Sequence, residues 1–377
     1  MVDLGEIVRG EVARYLQTRF VPPVQRKALR DIAQCRTEAM GTAPSECDEC
    51  GVEYSLFRSC RNRSCPMCQS EARAKWLEAR EEELLPVTYL HVVFTPPREL
   101  NVLALYCPRE FYQALIHAAG QAIIDVGWSD LKIQLGTLVQ LHTWGESLPL
   151  HPHAHCAVPM GGFSEDETRW VAFEQKDLPM KALGDRFRSL VCRSIQRAAR
   201  GGKLEGLPRT IRVEQLLAAA TSQEWRVYAE PALGGPEKLL EYLARYTYRV
   251  AITNERIESY ENHRVTFRCR GEEEKVCTLD AQEFLRRFLM HVPPKGFVRI
   301  RSFGFLGNRN RKQNIERARA LIGEATTREV HERFKPLRLC PACARKSRTN
   351  SSHFAPVPDV APQLELSLRP PPEHVAA

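Results

Sequence analysis

Residues Leu150–Pro159 read LHPHAHCAVP. Histidines 151, 153 and 155 stand at alternate positions, the period of a β-strand, so a strand here turns all three imidazoles to one face. Such a face suits a metal centre, a catalytic histidine cluster or a plain polar strand. The run also fits His-φ-His-φ-His-φ-φ, the pattern of histidine-triad nucleotide hydrolases, in which His153 would be the nucleophile and no metal is needed. Spacing within the run does not choose among these.

Upstream, 131–144 (LKIQLGTLVQLHTW) has strand character and is followed by the turn-like GESLPL. A hairpin pairing 138–144 with 153–159 brings His142 beside His153 and His155. These three could close on one divalent ion and leave positions open for substrate. Mg²⁺, Mn²⁺ or Zn²⁺ held in this way acts as a Lewis acid on a phosphate oxygen. His151, on the same face, competes with His142 for the third ligand position.

The rest of the chain alternates helical and strand patterns. Residues 1–34 look helical, and 67–85 (MCQSEARAKWLEAREEELL) form a charged helix stopped by Pro86. VTYLHVVFTPP is a strand, helices follow over 108–126 and 181–200, and EWRVYAEP is a further strand. Gly235 and Pro236 start a helix in GGPEKLLEYLARYTY. RIESYE, HRVTFRCR and EKVCTL suggest a β-meander, and AQEFLRRFLMHV a helix. Hairpins among intermixed helices favour an α+β fold with a central antiparallel sheet over a doubly wound one. The expected division is helices over 1–34, a Cys-rich module over 35–70, the core over 71–280, a basic part over 281–345 and a Pro-rich tail over 346–377.

A chain of 377 residues with 43% apolar content can build two or three domains with real cores. No apolar run nears the ~18 residues of a membrane span, and the N-terminus lacks a signal-peptide pattern. A cytoplasmic protein with reduced thiols is therefore expected. Six of the 13 cysteines fall between Cys35 and Cys68, which in that compartment argues for metal. Cys47-x2-Cys50 and Cys65-x2-Cys68 are two knuckles, and four thiolates make a closed tetrahedral Zn²⁺ site. Cys60 and Cys35 are extra, and Cys60-x4-Cys65 could substitute for one ligand or help hold a second ion. Arg58, Arg61 and Arg63 lie between the knuckles and suit phosphate contacts. Cys340-x2-Cys343 is half a site, which Cys269, Cys277 or a partner chain could complete.

In EKLLEYLARYTYRVAI, Tyr242 and Tyr246 share a helical face, with Arg245 and Arg249 interleaved. Paired tyrosines are most often packing residues. They become candidate nucleophiles when a metal-polarised phosphate is at hand. Between Phe284 and Leu321 ten Lys/Arg stand against Glu316 alone, an excess of nine beside a whole-chain net of +8. Phe297, Phe303 and Phe305 alternate with Arg299 and Arg301, and Arg309, Arg311 and Lys312 follow. Aromatic and cationic groups in one strand region form a candidate surface for stacking bases and neutralising phosphates.

Five blocks, CRTEAMGTAPSECDECG, SCRNRSCPMCQ, LHTWGESLPLHPHAHCAVPMGGFS, EWRVYAEPALGGPEKLLEYLARYTYRVAIT and FLRRFLMHVPPKGFVRIRSFGFLGNR, resemble in order the insertion-sequence-91 family of transposases. These are rolling-circle His-hydrophobic-His (HUH) enzymes with an N-terminal zinc module. The resemblance runs from about Cys35 to Arg309. It implies that His153 and His155 are the HUH pair and that Tyr242 and Tyr246 are the two nucleophiles. It also implies an antiparallel sheet with the HUH strand central and the tyrosine helix beside it. Ala154 is smaller than the usual middle residue. Arg63-Ser64-Cys65 lacks a histidine often seen before the cysteine; were that histidine a zinc ligand, the site here would have to rely on Cys60.

The expected function is metal-dependent cleavage and rejoining of single-stranded DNA, with structural Zn²⁺ and catalytic Mg²⁺ or Mn²⁺. A plasmid replication initiator or relaxase could use the same core. A zinc-ribbon DNA-binding protein with an idle histidine strand is the non-enzymatic alternative.

Overall fold

The computed structural model describes residues 2–47, 50–68, 70–232, 235–247, 251–269, 275–323, 337–339 and 346–348. Tyr248, Arg249, Cys340, Cys343 and the tail from 349 onward lie outside the described residues, as do the side chains of Tyr242, Arg245 and Tyr246. By contacts the chain forms two compact units, residues 1–43 with 56–336 and residues 44–55 with 337–377. In the second, Leu337–Leu339 pairs with Lys346–Arg348.

The helices that matter below are α1 (Leu4–Thr18), α2 (Pro23–Gln34), α3 (Ser70–Glu81), α4 (Pro108–Ser129), α5 (Met180–Arg200), α6 (Gly235–Thr247), α7 (Ala281–Met290) and α8 (Arg311–Ile322). The central sheet is built from β1 (Tyr89–Thr95), β2 (Gly136–Trp144), β3 (Leu150–Pro159), β4 (Arg226–Pro231) and β5 (Ile300–Gly304). Its order is β5-β2-β3-β1-β4 and every pairing is antiparallel. The fold is α+β, as expected from the hairpin-rich pattern, and the histidine strand β3 is in the middle, as the family resemblance implied.

Alternation along each strand gives the sheet two faces. Leu90, Val92 and Phe94 of β1, Val139 and Leu141 of β2, and Ala154, Cys156 and Val158 of β3 belong to one core cluster with Leu115, Ala119 and Ile123 of α4 and Phe187 and Val191 of α5. The Phe94 and Phe187 rings are tilted at 4.8 Å between centroids. The opposite face is covered by α6, whose Leu239, Leu240 and Leu243 pack with Tyr89, Leu138 and Ala157. Proline at the first turn of α4 fits the start of a helix, where the backbone N–H has no intrahelical partner.

A further core joins α1, α2 and α7 to the meander Ile257–Glu261, Arg264–Cys269, Lys275–Asp280. Two of its helices, α1 and α7, are capped: Asp3 accepts from the Glu6 N–H at 2.8 Å, and Asp280 from the Gln282 N–H at 2.9 Å. Glu11 is buried there yet satisfied, accepting from Tyr260 Oη at 3.0 Å and pairing with His263 Nδ1 at 2.6 Å. Among the features not anticipated are the helix Val213–Thr221, the small sheet Ile133–Gln134/Gly161–Ser164/Trp170–Ala172, and α8. No helix among the described residues is long and apolar enough to cross a membrane.

Candidate metal centre and nucleophile helix

Antiparallel register between β2 and β3 sets His142 opposite His153 and Gln140 opposite His155. Because residues 140, 142, 153 and 155 all fall on the α6 side, the imidazoles of His142, His153 and His155 converge, each offering one ligand atom within 4.8 Å of the others. Burial holds the His142 and His155 imidazoles well below their usual pKa and pushes His153 down to about 4. All three are neutral near pH 7, and a neutral imidazole keeps one ring nitrogen unprotonated, the form a metal needs. His153 Nδ1 lies 2.7 Å from the His151 carbonyl, so Nδ1 carries the proton and Nε2 is left for a ligand bond. Three clustered neutral imidazoles with no carboxylate among them form a borderline nitrogen donor set able to hold a divalent cation with positions left open. His151 is exposed and outside this group; its carbonyl, not its ring, serves the site.

On the same face, α6 lies against Leu138, two residues from Gln140, and Ala157, two residues from His155. Its residues 242 and 246 are one turn apart on described backbone. Arg299, buried in the loop before β5, accepts the Leu141 N–H on its carbonyl, and its charge further lowers the His142 pKa. Sequence reasoning missed His91 on β1. Its Nε2 lies 2.7 Å from His155 Nδ1. The signal was Tyr89, His91 and Val93 alternating on the polar face of a strand already recognised, but only register reveals the neighbour.

The zinc site differs from the doubled knuckle. Cys35, Cys60, Cys65 and Cys68 form the four-sulfur group, with Sγ···Sγ distances of 3.4 Å (35–68), 3.6 Å (60–68) and 3.7 Å (35–65). Zn–S bonds of about 2.3 Å in a tetrahedron put sulfurs about 3.8 Å apart, so the group fits zinc. Cys60 and Cys35 complete the group with Cys65 and Cys68, whereas Cys47 and Cys50 stand outside it. Hydrogen bonds from Cys35 push the Cys60 and Cys65 thiols up and the Cys68 thiol down, while those from Cys60 and Cys65 lower Cys35. A cation that takes all four as thiolates removes that conflict. Cys269 and Cys277 sit on paired meander strands and belong to no such group among the described residues.

The basic stretch is also rearranged. Phe297 and Phe305 are buried and Phe303 packs on α4, where a Cβ on Gly120 would come within 2.3 Å of its ring. These aromatics are core, not a base-stacking platform, because alternation in β5 turns Arg301 and Phe303 toward α4. Arg286 and Arg287 both pair with Glu283, one residue before the counted window, and the Arg286 guanidinium holds its carboxyl down to about 2. Arg311 bonds Glu83 at 3.3 Å and Ser302 Oγ at 2.8 Å. Arg309 and Lys312 remain exposed.

Comparison with known proteins agrees with this architecture. A family model described as "Putative transposase" matches residues 136–314, which include β2, β3, α6 and β5. A second, "Transposase zinc-binding domain", matches residues 7–96, which include all four clustered cysteines. The chain is 40% identical over 369 residues to "Putative transposase y4qJ" of Sinorhizobium fredii (strain NBRC 101917 / NGR234), covering 90% of this chain and 92% of that one. It is 26% identical over 307 residues to "Transposase for insertion sequence element IS801" of Pseudomonas savastanoi pv. phaseolicola, covering 79% of this chain and 74% of that one. A zinc-fitting cysteine group and a histidine-bearing sheet thus occur in the two segments those families match, and the chain belongs to the insertion sequence 91 family of transposases, with an N-terminal zinc-binding domain.

Proposed function

We propose that this transposase cleaves and rejoins single-stranded DNA at the ends of a rolling-circle element through a 5′-phosphotyrosine intermediate. What supports the reading is the convergence of His142, His153 and His155 on the sheet face that α6, the carrier of Tyr242 and Tyr246, also covers. Mg²⁺ or Mn²⁺ held there would supply Lewis-acid polarisation of the scissile phosphate. The three imidazoles would hold that ion, and the phenol oxygen of Tyr242 or Tyr246 attacks phosphorus. A Tyr–O–P bond forms and the P–O3′ bond breaks. The phenolic proton passes to solvent, and the leaving oxygen takes one up as the 3′-OH. The phosphotyrosine conserves the free energy of the broken linkage, so rejoining requires no ATP; the sequence has no G-x4-GK[ST] loop to bind one. A second tyrosine permits a second cleavage while the first adduct persists. Arg309 and Lys312, together with Arg245, Arg249 and the zinc module, would hold DNA ends in the cytoplasm.

The test is incubation of the protein with single-stranded DNA from the element's ends and Mg²⁺ or Mn²⁺. A covalent protein–DNA adduct is expected, abolished by EDTA, by His153→Ala and by the double change Tyr242→Phe/Tyr246→Phe. An adduct that survives all three treatments would sink the mechanism.

A further inference from the structure

His91 and Glu230 lie outside the histidine trio but are joined to it. β1 pairs with both β3 and β4, with His91 opposite Glu230 on one side and Ala157 on the other. The His91 and His155 rings are within 8° of coplanar, with Nε2 of one 2.7 Å from Nδ1 of the other. His91 Nδ1 lies 3.6 Å from Glu230 Oε1, and the same carboxylate accepts from Tyr228 Oη at 2.5 Å.

Proton accounting along this line has one consistent solution. An ionised carboxylate accepts only, so Glu230 favours a proton on His91 Nδ1. A neutral His91 then presents a bare Nε2 to its neighbour. His155 must be the donor across the 2.7 Å contact and carries its proton on Nδ1. That leaves the Nε2 lone pair of His155 for a ligand bond. The opposite assignment, with His91 donating from Nε2, would put the proton of His155 on its ligand nitrogen and leave His91 Nδ1 bare before a carboxylate. The carboxylate therefore selects, through His91, the tautomer of His155 that can bind a metal, as outer-shell partners do at many metal sites.

We propose that His91 and Glu230 are positioning residues that lock His155 in its metal-binding tautomer and ring orientation. The inference rests on the three-histidine reading of the previous section. His153 obtains the same tautomer from the His151 carbonyl, so the two HUH histidines are set by different devices, one a backbone group and one a side-chain relay.

The test titrates Mn²⁺ into the zinc-loaded protein without DNA and follows the ion by electron paramagnetic resonance, alongside the thermal melt of the Mn²⁺-free form. His91→Ala is expected to weaken Mn²⁺ about 10- to 100-fold. His91→Gln, whose amide oxygen can accept from His155 Nδ1, recovers part of that loss. Glu230→Gln, nearly isosteric and half-exposed, should also weaken binding with an unchanged melt, so the question stays answerable if His91→Ala fails to fold. Unaltered affinity in both His91→Ala and Glu230→Gln, while His153→Ala abolishes binding, would overturn the relay. Mn²⁺ binding that His153→Ala leaves intact would overturn the three-histidine centre itself, and the relay with it.

Discussion

A histidine can be conspicuous in sequence or wholly inconspicuous and still be fixed by burial. His291 at the end of α7 is buried, with Nδ1 3.2 Å from Thr143 Oγ1 and Nε2 3.2 Å from the Leu148 carbonyl. The neutral ring satisfies both contacts, accepting from the hydroxyl and donating to the carbonyl. Burial accordingly pushes its pKa down to about 4. Between its ordinary value near 6.5 and that value, the unfolded chain binds a proton that the folded one refuses. The stability contributed by the neutral ring is complete above pH ~6.5 and drains away as pH falls toward 4, by on the order of 3 kcal/mol. His291→Gln keeps a donor and an acceptor but cannot titrate. Urea unfolding of both proteins at pH 7 and pH 4.5 should show the stability gap shifting by about 2–3 kcal/mol in favour of the variant at the lower pH. Parallel pH profiles would show that His291 is not the titrating group.

At the level of elements, the strands and helices that position the site were legible because their signals are local. Alternation in β3, the Gly235-Pro236 start of α6 and the meander follow from backbone period and turn chemistry. Register across β2 and β3 was inferable too, since only one pairing puts His142 against His153. The misreadings arose where the partner lies far along the chain. The doubled CxxC looked like one site, but Cys35 at the end of α2, far along the chain, groups with Cys60, Cys65 and Cys68. An ion held there would tie α2 to the segment before α3, beside Leu29 and Ile32 in the same core. Cys35→Ala is expected to lose one equivalent of zinc per chain together with roughly 3 kcal/mol or more of stability, whereas Cys47→Ala keeps the Cys35 ion. Zinc content by mass spectrometry and melting with and without chelator check this. Full zinc content in Cys35→Ala would overturn the grouping.

Across the whole molecule, net charge is a poor guide to which cations meet DNA. Ten basic residues between 284 and 321 read as one polyanion surface, yet folding commits many of them. Arg286 and Arg287 are paired with Glu283, Arg311 with Glu83, Arg317 with Glu167, and Arg319 donates to the Glu82 and Leu84 carbonyls. The last two sets hold α8 in place against distant parts of the chain. Arg309 and Lys312, at the exposed start of α8, are the residues of this stretch best placed to replace counterions on a phosphate backbone. Each such contact contributes close to one unit to the salt dependence of binding. Arg309→Ala and Lys312→Ala should therefore each weaken single-stranded DNA binding at low salt and reduce the slope of log K against log salt by about 0.7, with the melting temperature unchanged. Arg311→Ala should do the reverse, lowering the melting temperature because Glu83 and Ser302 lose a partially buried partner, while the slope stays put. Fluorescence-anisotropy titrations over a salt series, paired with thermal melts, separate the two groups. If Arg311→Ala moved the slope as far as Lys312→Ala does, the division between fold-committed and DNA-facing cations would fail.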